Sequence, residues 1–304
     1  MTNVLLYAAT VLIWGCTWFA VRLQLGVVAP ELSVAYRFLL AGAILLVYCV
    51  LRGRPLRLGW RAHGLIAVQG FLLFCINYVL FYNANAYLPS GLLAVTFSVL
   101  IWFNVLNGAW LLGTPIRARV VAGAGFGLIG MSLLFWPEVR DFDLESGGMR
   151  GLVIALIATI FVSFGNILSG RNQRAGLSVL ASNAYGMVYG GIFTLVYGLA
   201  IGAPLVFDLS LRYVGSFIFL VVFGSIIAFG AYLTLLGRIG ADRAAYAMVM
   251  FPVIALVIST IFEGYVWTPT GLAGIALILS GNLLVLRRSA AVVAPARKAD
   301  LAVH

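Results

Sequence analysis

Ten times along this chain an apolar run of about twenty residues is cut off by a Gly, Pro or Arg cluster: near 3–22, 31–51, 63–86, 90–113, 118–136, 149–170, 178–201, 213–236, 241–264 and 269–287. Roughly 20 apolar residues are what a helix needs to cross the hydrocarbon core of a bilayer. The backbone must satisfy its own hydrogen bonds there, which confines spanning segments to helices or closed barrels. With 63% apolar and 9% charged residues and a mean hydropathy of +1.09, the chain lies far from soluble domains, which run near half apolar and a quarter charged. It reads as an all-α integral membrane protein with ten transmembrane helices and the lipid bilayer as its first partner.

The formal charge of +10 does not point to nucleic acid. That would need basic residues gathered on a water-facing domain, whereas here the arginines stand in ones and twos between apolar runs. Cys16, Cys49 and Cys75 all lie in apolar segments without CxxC spacing, and read as buried thiols rather than as metal ligands or disulfides. The run IWGC looks like a lipoprotein cleavage box. No basic residue precedes Val21, however, so the charged region of a signal sequence is missing. The first segment is expected to be a mature spanning helix.

An even number of crossings puts both termini on one side. Of the nineteen Lys and Arg residues, fourteen fall on that side, and only Arg22, Arg37, Arg140, Arg150 and Arg212 fall on the other. By the positive-inside rule both termini are cytoplasmic. The polar stretch Pro137 to Arg150 divides the run of helices into two sets of five, and an internal repeat crosses it. AYRFLLAGAILLVY (35–48) aligns without gaps on AYGMVYGGIFTLVY (184–197) at an offset of 149; Gly123 and Gly130 match Gly274 and Gly281 at 151. Because five is odd, the second set enters the membrane inverted. The expected organisation is a first five-helix repeat (1–136), an extracytoplasmic linker (137–148), a second, inverted repeat (149–288) and a cytoplasmic tail (289–304). Inverted repeats are how many secondary transporters place a site at the midplane.

The offset of 149 exposes candidate interior positions. Thr10, Trp14 and Thr17 share one helix face, and their repeat mates are Thr159, Ser163 and Asn166. Such a stripe serves either hydrogen bonding between helices or a substrate pathway. Trp14 is about 16 Å along its helix at 1.5 Å per residue, too deep for an interfacial tryptophan; Trp18 suits packing or the interfacial belt. Helix three adds Asn77, Tyr78 and Tyr82. Ser225, Phe229 and Tyr232 form a similar stripe in helix eight. Ser98 and Trp102 pair in helix four, as do Tyr246 and Met250 in helix nine. Core packing explains any one of these aromatics; together they describe a mid-membrane chamber with aromatic walls and neutral hydrogen-bonding groups. Pro252 removes a backbone bond and crowds the carbonyl of Met248, which suits either a gating kink or packing.

No Asp, Glu, Lys or His is expected near mid-membrane. Glu263 lies near an outer helix end, and Arg37 about one turn inside helix two. Proton coupling through a buried carboxylate is therefore not expected. Nor is enzymatic chemistry: no HExxH, catalytic aspartate pair or intramembrane histidine is present, and no metal is expected.

The two inverted halves, the Trp14–Gly15 pair, the AYR of Ala35 to Arg37 and the run PVIALVISTIFEG (252–264) resemble the drug/metabolite transporter superfamily, and within it the EamA-type exporters. The resemblance covers the chain up to Ser289. Glu263 matches the glutamate of the family's P...LGE pattern; in the first half, WLLGTP (110–115) has Thr114 there, and no family role is carried onto it. The chain looks most like the branch that exports amino acids, aromatic ones included, from bacterial cells. That implies a multi-pass protein of the bacterial inner membrane, with a central cavity formed by helices one, three and four and their mates. It also implies a secondary carrier without cofactor, in which a monomer suffices, releasing a net-neutral small molecule by alternating access. A lipophilic-cation or drug exporter is the alternative, since Tyr and Trp faces attract cations; a non-transporting scaffold is a third.

Overall fold

The computed structural model describes residues 2–24, 26–88, 90–142, 147–263 and 266–286, and all regular structure among them is helical. Ten helices follow the ten apolar runs. They are α1 (Asn3–Arg22), α2 (Pro30–Leu51), α3 (Trp60–Asn85), α4 (Ser90–Ser98, continued by Leu100–Leu112) and α5 (Ala118–Leu134). The rest are α6 (Met149–Arg174), α7 (Val179–Ala200), α8 (Leu211–Ile239), α9 (Ala241–Ala244, continued by Tyr246–Glu263) and α10 (Pro269–Leu286). Eight are long and apolar enough to span a bilayer, and α5 and α10 are shorter apolar helices. The ends expected at 264 and 287, the tail from 289, and the side chains of Trp18 and Glu263 lie outside the described residues.

Local chemistry sets the ends. Thr2 caps α1 by accepting from the Leu5 N–H, Pro30 and Glu31 open α2, and Gly113, with φ of 61°, ends α4 in the left-handed conformation that side chains disfavour. Some helix ends depart from the expected limits. α6 continues to Arg174 because its polar last turn finds partners on its neighbours. The Asn172 amide donates to Gln69 Oε1 (2.9 Å) and the Gln173 amide to the Leu233 carbonyl (2.9 Å). α5 stops at Leu134, two residues short of the expected limit, and a separate turn of helix, Trp136–Arg140, follows.

Each five-helix set packs on the other in matched pairs. α2 lies along α7 and α5 along α10, while α1 packs on α8 and α9 just as α6 packs on α3 and α4. The seams are built from glycine. A methyl group at Gly42 would strike Val188 and the Ala184 carbonyl, and one at Gly191 would strike Leu39; each of these contacts is the other displaced by 149. Gly123 abuts the Gly281 carbonyl and Gly130 the Gly274 carbonyl, again reciprocally. Lipid tails are as apolar as side chains, so helices in a bilayer associate by close packing rather than by hydrophobic exclusion, and small residues permit it.

The matched sets are also irregular in matched places. α3 winds as π-helix over Leu72–Ile76 and α8 over Leu220–Ile227; α4 breaks at Val99 and α9 at Ala245. Outside this frame the helices present bare apolar side chains such as Val47, Val50 and Leu283 to lipid. Trp60 (81% exposed) and Trp110 (74%) stand at helix ends, as belt residues do.

Replacing Gly274 by Ala would put a methyl 2.5 Å from the Gly130 carbonyl oxygen and 2.7 Å from the Leu134 nitrogen, both backbone atoms that cannot rotate away. The expected cost is about 1–3 kcal/mol, read as a lowered melting temperature in detergent micelles. Gly125→Ala, with nothing within 4 Å, should leave the melting temperature unchanged or raise it slightly.

Candidate functional site

α1 meets the π-wound stretch of α8, and the meeting is organised by Trp14. Its indole N–H donates to the Gly224 carbonyl (3.1 Å). The ring stands edge-on to Phe229 (centroids 5.0 Å apart) and tilted against Tyr232 (5.2 Å). Phe229 continues the chain of rings to Phe74 (4.9 Å) and Phe38 (6.2 Å), and Phe38 to Tyr78 (5.2 Å). One aromatic cluster therefore joins α1, α2, α3 and α8, drawing on both sets of helices. Each such pair contributes about 0.5–1.5 kcal/mol beyond its buried area. The rings pack on one another, so a guest ring would enter by displacing one of these contacts.

Into this cluster α2 inserts a cation. Arg37 is 5% exposed; its Nε–H donates to Ser225 Oγ (2.7 Å) and its guanidinium carbon lies 5.3 Å from the Phe38 centroid. Gly224 is what leaves room: a methyl group there would sit 3.0 Å from Thr17 Cγ2 and 3.1 Å from Arg37 Nη2. Tyr78 and Tyr82 both lie within electrostatic reach of the guanidinium. The chamber expected to be neutral carries a fixed positive charge. Long cationic side chains near a helix end can reach outward to water, but this one extends toward the middle of α8.

The other candidates divide. The Thr17 hydroxyl closes on the Trp14 carbonyl (2.7 Å). Thr10 and Thr159 close on Leu6 and Ala155, one turn back in their own helices (2.8 Å each), so both threonines do local work. Ser163 accepts from the Asn107 amide (2.9 Å), tying α6 to α4. Asn166 faces the Tyr232 hydroxyl, yet neither side chain makes a well-formed hydrogen bond among the described residues. Asn77 Oδ1 and the Trp102 indole N–H are likewise enclosed and unpartnered among them. Buried polar groups are normally satisfied, so these atoms mark interior places suited to water or a guest. Met250 is half-buried against the main core.

Ser98 and Tyr246 are not brought to the cluster by any hydrogen bond. Ser98 donates to the Val95 carbonyl (2.6 Å) beside the break in α4, a back-bond that bends helices. The Tyr246 hydroxyl donates to the Val120 carbonyl (3.2 Å) and props α9 against α5. Pro252 is accommodated within a continuous stretch of α9, where Gly15 of α1 lies against Ile254 and the Phe251 carbonyl. A separate cavity of about 350 Å³, lined by Leu45, Arg54, Asn183 and Thr234 among others, opens between α2, α7 and α8. It contains none of the aromatic residues.

Arg37 and Asn107 are the site residues that the polar stripes did not supply. Arg37 carried a signal of its own: an arginine inside an apolar run, on the face where basic residues are scarce, between Tyr36 and Phe38. Asn107 carried none, because one asparagine in an apolar helix does not reveal which way it faces.

Ten helices, eight of them long and apolar enough to span a bilayer, packed around an aromatic and polar cluster, fit a membrane transporter. The model of the EamA-like transporter family matches residues 1–136 and again 149–287, and the chain belongs to that family. The chain is 28% identical over 281 residues to an uncharacterized inner membrane transporter, YedA, of Escherichia coli K12, covering 89% of this chain and 88% of that protein. It is 24% identical over 279 residues, 89% and 90% of the two chains, to a probable amino-acid metabolite efflux pump of Salmonella typhimurium. A solved crystal structure at 20% identity has the same fold, with a TM-score of 0.78 over 93% of this chain and 97% of the other.

Trp14→Phe keeps the ring but leaves the Gly224 carbonyl without its indole partner. An unmet buried acceptor costs about 1–3 kcal/mol. The variant should melt lower in micelles than the wild type; an unchanged melting temperature would mean that water replaces the indole.

Proposed function

We propose that the protein is a secondary, non-ATP carrier that exports amino acids, aromatic and other neutral ones, and related small metabolites by alternating access. The observation that carries this reading is the ring cluster of Trp14, Phe229, Tyr232, Phe38 and Tyr78, contributed by both sets of helices and bordered by unpartnered polar atoms at Asn77, Asn166 and Tyr232. Such walls suit a flat ring on one side and hydrogen-bonding groups on the other. The Salmonella typhimurium relative, by its name, supports the substrate class.

In this reading residues 1–136 and 149–288 are the two moving bodies and 137–148 is their linker. They turn about the glycine seams α2/α7 and α5/α10, where reciprocal contacts resist separation but allow rolling. The breaks in α4 and α9 and the proline at Pro252 are where the helices bend during access to one side or the other, as discontinuous helices do in inverted-repeat carriers. Trp14, Thr17, Tyr78, Tyr82, Phe229 and Tyr232 line the path directly. Asn77, Trp102, Ser163, Asn166 and Met250 line its continuation, and Ser98 and Tyr246 belong to the bending elements. The protein sits in a bacterial inner membrane with both termini cytoplasmic, and the reading requires no proton gradient.

Proteoliposomes containing only this protein, at equal pH on both sides, should take up labelled phenylalanine saturably. Trp14→Ala should lower that uptake by about tenfold or more, the cost of about 1.4 kcal/mol of lost contact. Movement of a lipophilic cation without any amino-acid flux would replace this reading with drug export. Fluorescent-protein fusions at the C-terminus should fold and emit, as such fusions do when the terminus is cytoplasmic; dark fusions would reverse the topology.

A further inference from the structure

We propose that Arg37 is the binding residue for a carboxylate on the transported molecule, so that the carrier takes carboxylate-bearing guests and rejects guests that are only cationic. The inference deepens the amino-acid reading and rests on it for the choice of ring-bearing probes.

Three observations converge. The first is incomplete satisfaction. A guanidinium offers five N–H donors, and Arg37 commits one, Nε–H, to Ser225. Its Nη groups donate to no described residue, and no acidic side chain lies within ion-pair distance among the described residues. Removing a charge from water costs several kcal/mol unless it is paired, and intramembrane cations normally mark a ligand path or a partner. The Nη atoms are not among the fully enclosed polar atoms that lack a partner.

The second is that helix packing does not require the charge. In the repeat alignment Arg37 stands opposite Gly186. There α7 meets α3 by laying Gly186 directly against Gly70. The fold closes the equivalent junction with two glycines and no charge, so the arginine is an addition to one side only.

The third is placement. Nη2 lies beside Gly224, the residue whose carbonyl holds Trp14, and the hydroxyl-bearing Tyr78 and Tyr82 lie within electrostatic reach of the guanidinium. A carboxylate received by the planar fork of Nη1 and Nη2 gains two parallel charge-assisted bonds. The ring of the same molecule would then fall against Trp14 and Phe229. A guest with a positive charge and no carboxylate meets an uncompensated cation at the same place.

The test compares three probes that share one ring: phenylalanine, phenylpropionate, which lacks the amine, and phenethylamine, which lacks the carboxylate. Binding to the purified protein is followed by ligand-induced thermal stabilisation, and flux in proteoliposomes, for the wild type, Arg37→Gln and Arg37→Lys. The expected result is that the two carboxylates bind and move while phenethylamine does neither. Arg37→Gln should weaken carboxylate binding about 10- to 100-fold, the range for a lost hydrogen bond to a charged group, and Arg37→Lys should restore part of it. Should Arg37→Gln fail to fold, Arg37→Lys alone decides: a carboxylate affinity equal to wild type overturns the bidentate anchor. Equal handling of phenylalanine and phenethylamine by the wild type overturns the anchor and leaves amino-acid export standing. Phenylpropionate bound and moved without phenylalanine sinks the amino-acid reading and supports the anchor. Phenethylamine alone overturns both, and a wild type that binds neither carboxylate overturns the anchor.

Discussion

The structure depends on backbone-to-backbone contact across two glycine seams. In a bilayer there is no water to drive helices together, so the free energy of assembly comes from how closely they approach. Gly123 and Gly130 of α5 lie on the carbonyls of Gly281 and Gly274 of α10, and Gly42 and Gly191 do similar work between α2 and α7. Each seam is self-complementary, like the isologous contact of a symmetric dimer. Mating α2 to α7 and α5 to α10 leaves α1, α3, α4 and their counterparts α6, α8, α9 to close the middle.

Those middle helices are the irregular ones. The π-wound stretches in α3 and α8 and the breaks in α4 and α9 fall in the part of the molecule where the aromatic and polar groups gather. Irregular winding in a membrane is tolerable only where neighbouring groups satisfy the freed backbone. The Trp14 indole does this for Gly224. Strength at the seams and irregularity between them are complementary: the first holds the two sets of helices together and the second lets the centre hold polar groups.

The two parts were not equally legible. Helix positions followed from apolar length, and the pairing of mates could be anticipated from the offsets of 149 and 151, because a seam of glycines leaves a periodic trace. The site was legible only in outline. The stripe Thr10, Trp14, Thr17 marked one face of α1, on which the two threonines turn their hydroxyls onto their own backbone while Trp14 reaches across to α8. Ser98 and Tyr246, also singled out by spacing, bond beside the break in α4 and across the α5/α9 contact.

By itself the sequence determined that the chain is a membrane protein of ten helices, where those helices run, and that one half echoes the other. These are one-dimensional consequences of bilayer thickness and of repeated residues, and they need no knowledge of neighbours. Only the tertiary structure decided what the interior contains. The π-turns of α8 bring Gly224 and Ser225 against α1 and α2, and the missing side chain at Gly224 opens the space through which Arg37 reaches inward. Whether a long cationic side chain bends out to water or into the protein depends on which partner is within reach. That partner, Ser225, is 188 residues away along the chain.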